Sequence, residues 1–202
     1  MSSLTERSPL LLGSRSPRRL ELLRSAEIPV RAEGIDANED VRVGEAWRGY
    51  IERIVADKLR LARALVEPNH VDVPAVLVAD TVVVLDGEVF GKPGSVEQAA
   101  AMIRALSGRT HEVSTRFALW HRERDVSFAT TITTRVTVRE LSSRAVLAYA
   151  SSREGLDKAG GYAIQGGFAY AIKHIDGSYS NVVGLPLADV VLALESFDLW
   201  PR

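Results

Sequence analysis

Ala75-Val76-Leu77-Val78-Ala79-Asp80-Thr81-Val82-Val83-Val84-Leu85-Asp86-Gly87-Glu88-Val89-Phe90-Gly91-Lys92-Pro93 is the stretch that decides how this chain folds. Ten of its first eleven residues are apolar, alanine or β-branched, which predicts a strand buried on both faces. Asp80 interrupts the run. A carboxylate in such a strand is costly unless a metal, a hydrogen-bond donor or a cleft receives it, so Asp80 is the first candidate for chemistry. Asp86-Gly87 supplies the positive φ values of a tight hairpin. Glu88 to Gly91 should therefore fold back beside the strand and carry Lys92 toward Asp80, and Pro93 should end the return. The plainer alternative is a core hairpin with an aspartate at its mouth.

Around this stretch, 202 residues with 46% apolar side chains suit one α/β domain with a substantial core. We expect a flexible N-terminal tail over residues 1–8 and a single domain over residues 9–202. Twenty-five basic against 26 acidic side chains give a net charge of -1. No global charge draws the chain to nucleic acid, and any anion site must be local. The absence of cysteine excludes disulfides, thiolate catalysis and sulfur-based zinc sites and suits a reducing compartment. Neither a signal-peptide core nor a membrane-length apolar run is present, so a cytoplasmic protein without membrane partners is expected.

In chain order, Pro9 to Gly13 reads as a short strand running into Ser14-Arg15-Ser16-Pro17-Arg18-Arg19. Ser16 suits an N-cap and Pro17 a first helical position. Two hydroxyls and three arginines at a helix N-terminus suit a phosphate; a capped surface helix with solvated arginines is the alternative. Ile28 to Glu33 reads as a second strand, and a polar connection carries Asp36, Glu39 and Asp40. A long helix is predicted over about Glu45 to Val66, stopped by Pro68 and Asn69. Lys58 lies on its apolar stripe, four residues after Ile54 and four before Ala62. Its ammonium either snorkels out at the edge of the stripe or reaches an anion inside a cleft.

Ser95 to Leu106 carries a capping box. Thr110 to Trp120 and Val126 to Val138 alternate as two long strands, and Ser142 caps a helix through about Tyr149. Asp157 to Gly167 has paired glycines at both ends, which lets the backbone approach something closely, with Gln165 just before the second pair. Phe168 to Ile175 reads as a strand and Val190 to Phe197 as a closing helix. His70, His111, His121 and His174 have no metal-protease spacing, and no serine-hydrolase elbow is present. Asp80 and Glu39 could share a divalent cation, while Ser14, Arg18, Lys58 and Lys92 balance phosphate charge. An amide such as Gln165 donates and accepts at once, as a base edge requires. Metal-assisted attack on a nucleotide phosphoanhydride uses all of these parts.

The ordered set Ser14-Arg15-Ser16-Pro17-Arg18-Arg19, Ala79-Asp80-Thr81, Gly91-Lys92-Pro93, Leu106-Ser107-Gly108 with His111, Asp157-Lys158-Ala159-Gly160, Ile164-Gln165-Gly166 and Val183-Gly184-Leu185-Pro186 resembles the Maf family of nucleoside triphosphate pyrophosphatases. The resemblance runs from about Leu10 to Phe197. It implies a mixed-sheet, two-lobed α/β fold of the Maf and inosine-triphosphatase kind with a deep central cleft, often a homodimer. It further implies hydrolysis of a nucleoside triphosphate to the monophosphate and pyrophosphate with Mg²⁺ or Mn²⁺, removal of unwanted nucleotides and a link to arrest of cell division.

Carried over by position, the resemblance makes Asp80 the proton acceptor, Arg18, Thr81 and Gln165 the setters of base specificity, and Ser14, Glu39, Lys58 and Lys92 polar residues lining the cleft. The mechanism we expect on this basis has a metal held by Glu39 and Asp80, with Arg18, Lys58 and Lys92 stabilising the charge of departing pyrophosphate. The run around Gln165 is similar to the subgroup acting on dTTP and UTP. Gly13 stands where that family usually has alanine, and Asn38 where an acidic residue beside Glu39 is expected, so Asp36 or Asp40 would have to compensate. Two other readings are a phosphatase releasing orthophosphate and a nucleotide-sensing division-control protein without turnover.

Overall fold

The computed structural model describes residues 3–69 and 72–200, so His70 lies outside the described residues. Strand β1 (Leu10–Gly13) leads into helix α1 (Pro17–Ser25), followed by β2 (Val30–Glu33) and the long α2 (Trp47–Asn69). Strand β3 (Ala75–Leu85) and its return β4 (Glu88–Phe90) precede α3 (Val96–Leu106). Next come the long strands β5 (Thr110–His121) and β6 (Val126–Val138), then α4 (Ser143–Ser151), β7 (Ile172–Asp176), α5 (Tyr179–Val183) and α6 (Leu187–Ser196). The strands hydrogen-bond in the order β2-β1-β3-β5-β6-β7, with β4 beside β3. Pairs β1–β2 and β1–β3 are parallel, and β3–β4 and β6–β7 antiparallel, so the sheet is mixed, as expected.

The chain groups into two compact units. One contains residues 1–80, 116–131 and 184–202; the other contains 81–115 and 132–183. The unit boundary crosses β3, β5 and β6 within their lengths. In the first unit, Leu10, Leu12, Leu77, Ala79, Phe117 and Leu119 from the sheet pack with Leu23 of α1 and Val190 and Leu194 of α6. Leu4 joins this core at 4% exposure, and its N–H donates to the Leu199 carbonyl. After Leu4, Thr5 to Arg7 are exposed, and Thr5 and Ser8 pair with each other.

The hairpin forms as the sequence predicts. Asp86 and Gly87 adopt φ of 53° and 85°, and Val83 to Leu85 pair with Phe90 to Glu88. The buried pattern of β3 is broken only at Asp80 and Thr81, which are half-buried. Helix α2 runs on to Asn69 rather than ending at Val66. The strand expected from Phe168 begins only at Ile172, because Gly167–Ala171 form a 3₁₀ turn. Helix α6 starts directly after Pro186, where proline ends the preceding chain and fixes φ for the helix.

Candidate active site

At the end of β1 the chain enters α1 through an N-cap. Ser16 is extended and its Oγ accepts from the Arg19 N–H, with Pro17 in the first turn. The Ser14 hydroxyl accepts from the Ser16 N–H at 3.1 Å and from Arg19 Nη1 at 3.2 Å. Arg18 is half-buried on the first turn. Arg19, one of the three arginines read as suiting a phosphate, is buried: Nε donates to the Gly184 carbonyl at 2.7 Å and Nη1 to the Ala79 carbonyl at 2.8 Å. It therefore locks the residue just before Asp80 to the start of α1. Burial lowers the guanidinium pKa, and the Asp80 and Glu39 carboxylates oppose that shift. The signal was the four-residue spacing to Leu23, the other buried residue of α1, which puts Arg19 on the inner face.

Lys58 of α2 is 6% exposed, so it does not snorkel. Its ammonium donates to Asp80 Oδ1 at 2.8 Å and lies 2.6 Å from Glu39 Oε1. Two carboxylates thus converge on one cation at the middle of β3. Tyr50, one of the α2 residues facing the core, donates its hydroxyl to the Glu39 carbonyl at 3.1 Å. Burial, with the Asp80 and Glu39 charges, pushes that phenol up to about 12. Arg53 donates to the Asp40 carbonyl and forks onto Glu45, which pins the connection to the helix. Asn38 Oδ1 accepts the Asp40 N–H at 2.8 Å, a local side-chain turn. The Asp36 carboxylate pairs with Arg15 at 2.6 Å on the surface.

The second unit holds the other residues expected to act. Thr81 is half-buried, with its Oγ1 2.9 Å from Thr115 Oγ1. Thr115 also donates to the Asn181 carbonyl at 3.2 Å. Lys92 is exposed after Gly91, whose carbonyl accepts the Gly160 N–H. Gln165 is exposed, in the loop before the Gly167–Ala171 turn. The structure thus gathers Ser14, Arg18, Glu39, Lys58 and Asp80 in one unit, and Thr81, Lys92 and Gln165 in the other.

Among the described residues, no three His, Cys, Asp or Glu side chains form a ready-made metal cage. Mg²⁺ commonly keeps several waters and binds through one or two carboxylates plus substrate phosphates. Asp80 and Glu39, both within 2.8 Å of one nitrogen, fit that need. No helix among the described residues is long and apolar enough to cross a membrane.

Comparison with known proteins gives the family of the chain. The chain is 44% identical to a dTTP/UTP pyrophosphatase of Citrifermentans bemidjiense, over 93% of this chain and 94% of that protein. It is 44% identical to one of Myxococcus xanthus, over 92% and 91%, and 43% identical to one of Xanthomonas oryzae pv. oryzae, over 93% and 98%. The family model described as Maf-like protein matches residues 9–197, spanning β1 to the end of α6, and the chain belongs to the Maf family.

Proposed function

We infer that this chain is a nucleoside triphosphate pyrophosphatase that hydrolyses dTTP and UTP to the monophosphate and pyrophosphate. The observation that carries the reading is the Lys58 ammonium held between the Asp80 and Glu39 carboxylates, which puts a phosphate-binding cation and two metal-competent carboxylates at one point. The name shared by the relatives supplies the substrates.

Asp80 is the proton acceptor for the attacking water. Lys58 competes for the same oxygen, so the substrate phosphates, by drawing the ammonium toward themselves, release Asp80 only when a nucleotide is bound. A divalent cation, Mg²⁺ or Mn²⁺, would be held by Glu39 and Asp80 and supplies charge neutralisation and a more acidic water when bound. Ser14, Arg18, Lys58 and Lys92 hold the phosphates and stabilise the charge of departing pyrophosphate. Arg18, Thr81 and Gln165 select the base. Thymine and uracil present an N–H between two carbonyls; the Thr81 oxygen accepts, and the Gln165 amide both donates and accepts. Removal of unwanted nucleotides is the cellular role that suits this activity.

The test is a turnover panel of dTTP, UTP, CTP, GTP and 7-methyl-GTP with Mg²⁺ or Mn²⁺, resolving pyrophosphate from orthophosphate, with Asp80→Asn alongside. Pyrophosphate from dTTP and UTP, lost in a folded mutant, is expected. Orthophosphate instead would make the protein a phosphatase, and nucleotide binding without turnover would make it a sensor.

A further inference from the structure

Gln165 is exposed and stands in a loop without regular structure, so its amide can read a base edge only if the backbone on both sides of it is held. The loop is held on both sides by one neighbourhood, the end of α4 and the residues just after it. Before Gln165, the Ala163 N–H donates to Tyr149 Oη at 3.0 Å. After it, the Gly167 N–H donates to both carboxylate oxygens of Glu154, at 3.0 Å each. Burial raises the Tyr149 phenol, and the nearby Glu154 adds to that shift. Two bonds close a ring, Ala163 N–H to the Tyr149 oxygen and Gly167 N–H to the Glu154 carboxylate, joined by the chain from Tyr149 to Glu154 on one side and from Ala163 to Gly167 on the other, with Gln165 between the two anchors.

The packing beneath the ring is tight. Phe168 is fully buried, its centroid 4.8 Å from Tyr149 and 4.9 Å from Tyr162, and the Tyr162 hydroxyl lies 2.7 Å from His111 Nε2. Gly166 leaves the room the carboxylate uses, since a Cβ there would fall 2.1 Å from Glu154 Oε1. A side chain at position 166 would displace the Glu154 carboxylate from its place at the Gly167 N–H.

We propose that Tyr149 and Glu154 are positioning residues for Gln165, and that this ring sets the selectivity for thymine and uracil. The proposal rests on the reading of Gln165 given above. A ring that only stabilised the fold would affect all nucleotides alike. A positioning ring acts on the contrast between bases, because a misaimed amide loses its partner on one base edge and gains nothing on the others.

The experiment compares kcat and KM for dTTP, UTP, CTP and GTP in Tyr149→Phe, Glu154→Ala, Glu154→Gln and Gln165→Ala, together with amide hydrogen exchange at Gly167. In Tyr149→Phe and Glu154→Ala the preference for dTTP and UTP should fall by about tenfold, through KM, with kcat close to wild type. Gly167 should exchange faster in Glu154→Ala, and Glu154→Gln, which keeps an acceptor, should recover part of the preference. If Glu154→Ala does not fold, Tyr149→Phe, which keeps the ring and loses only the hydroxyl, decides the matter. Equal losses on all four nucleotides, or an unchanged preference while Gln165→Ala abolishes it, would overturn the ring and leave the reading of Gln165 standing. An unchanged preference in Gln165→Ala would overturn both.

Discussion

Lys58 stands between two carboxylates. An ammonium 6% exposed, with carboxylate oxygens at 2.6 and 2.8 Å, neutralises much of the charge that Asp80 and Glu39 bring together. Removing it leaves two facing carboxylates and takes away the cation between them. Lys58→Met should lower kcat for dTTP by on the order of a hundredfold or more while the protein stays folded. The carboxylates left behind should bind a divalent cation more tightly, so Mg²⁺ should raise the thermal midpoint of Lys58→Met more than that of wild type. Thermal melts with and without Mg²⁺ or EDTA measure this, and equal Mg²⁺ shifts in the two proteins would mean that Lys58 does not shield a metal-competent pair. The spacing of α2 made Lys58 visible in the sequence, but its environment was not. Its two partners come from a strand and from an irregular connection, and helical periodicity carries no information about either. Arg19 was hidden for another reason: a guanidinium buried among backbone carbonyls looks, in sequence, like its exposed neighbour Arg15 and its half-buried neighbour Arg18.

Among the elements, β1 shows how a strand end is fitted to its layer. A Cβ built on Gly13 would lie 2.8 Å from Val78 Cγ1, 3.0 Å from Ile35 Cγ1 and 3.5 Å from Ala62 Cβ. The alanine that the family resemblance leads one to expect at this position is thus replaced, in this chain, by contacts from Val78 and Ile35. Gly13→Ala should destabilise the protein by about 1–2 kcal/mol through overpacking, and by less in a Val78→Ala background, because the two sites share the same space. Urea midpoints of the four proteins of the cycle give the coupling; a zero coupling would show that Val78 is not the residue in the way. Elements with a strong period or explicit turn chemistry were legible beforehand: the two-sided apolar run of β3, its Asp86-Gly87 hairpin, the stripe of α2 and the capping box of α3. The five-residue α5 and the 3₁₀ turn before β7 were not, since one or two turns carry no measurable periodicity. The loop around Gln165 drew attention through its glycines, yet its anchors Tyr149 and Glu154 could not be read, because nothing local in sequence couples them to residues 163 and 167.

For the whole molecule, the stability of each unit is linked to pH through one buried histidine. His111 in the second unit is 2% exposed; its Nε2 meets the Tyr162 hydroxyl and its Nδ1 has no hydrogen-bond partner. Burial lowers its pKa from 6.5 to about 4. His121 in the first unit, 6% exposed, accepts the Arg124 N–H on Nδ1, and burial lowers its pKa as well. Both imidazoles are neutral in the folded protein and protonate more readily once unfolded. Between pH 6.5 and 4 the unfolded chain therefore binds more protons than the folded one, and stability rises with pH across that window. His111 contributes stability that is fully present above pH 6.5 and is lost as the pH falls toward 4, about 3 kcal/mol in all. His111→Gln removes this titration while leaving an amide that can meet the Tyr162 hydroxyl. Its unfolding free energy, taken from urea titrations at steps between pH 7 and pH 4, should fall less steeply with acid than that of wild type. A residual slope from His121 should remain in the mutant. Identical slopes in the two proteins would mean that His111 has the same pKa in the folded and the unfolded chain, and that burial does not hold it neutral.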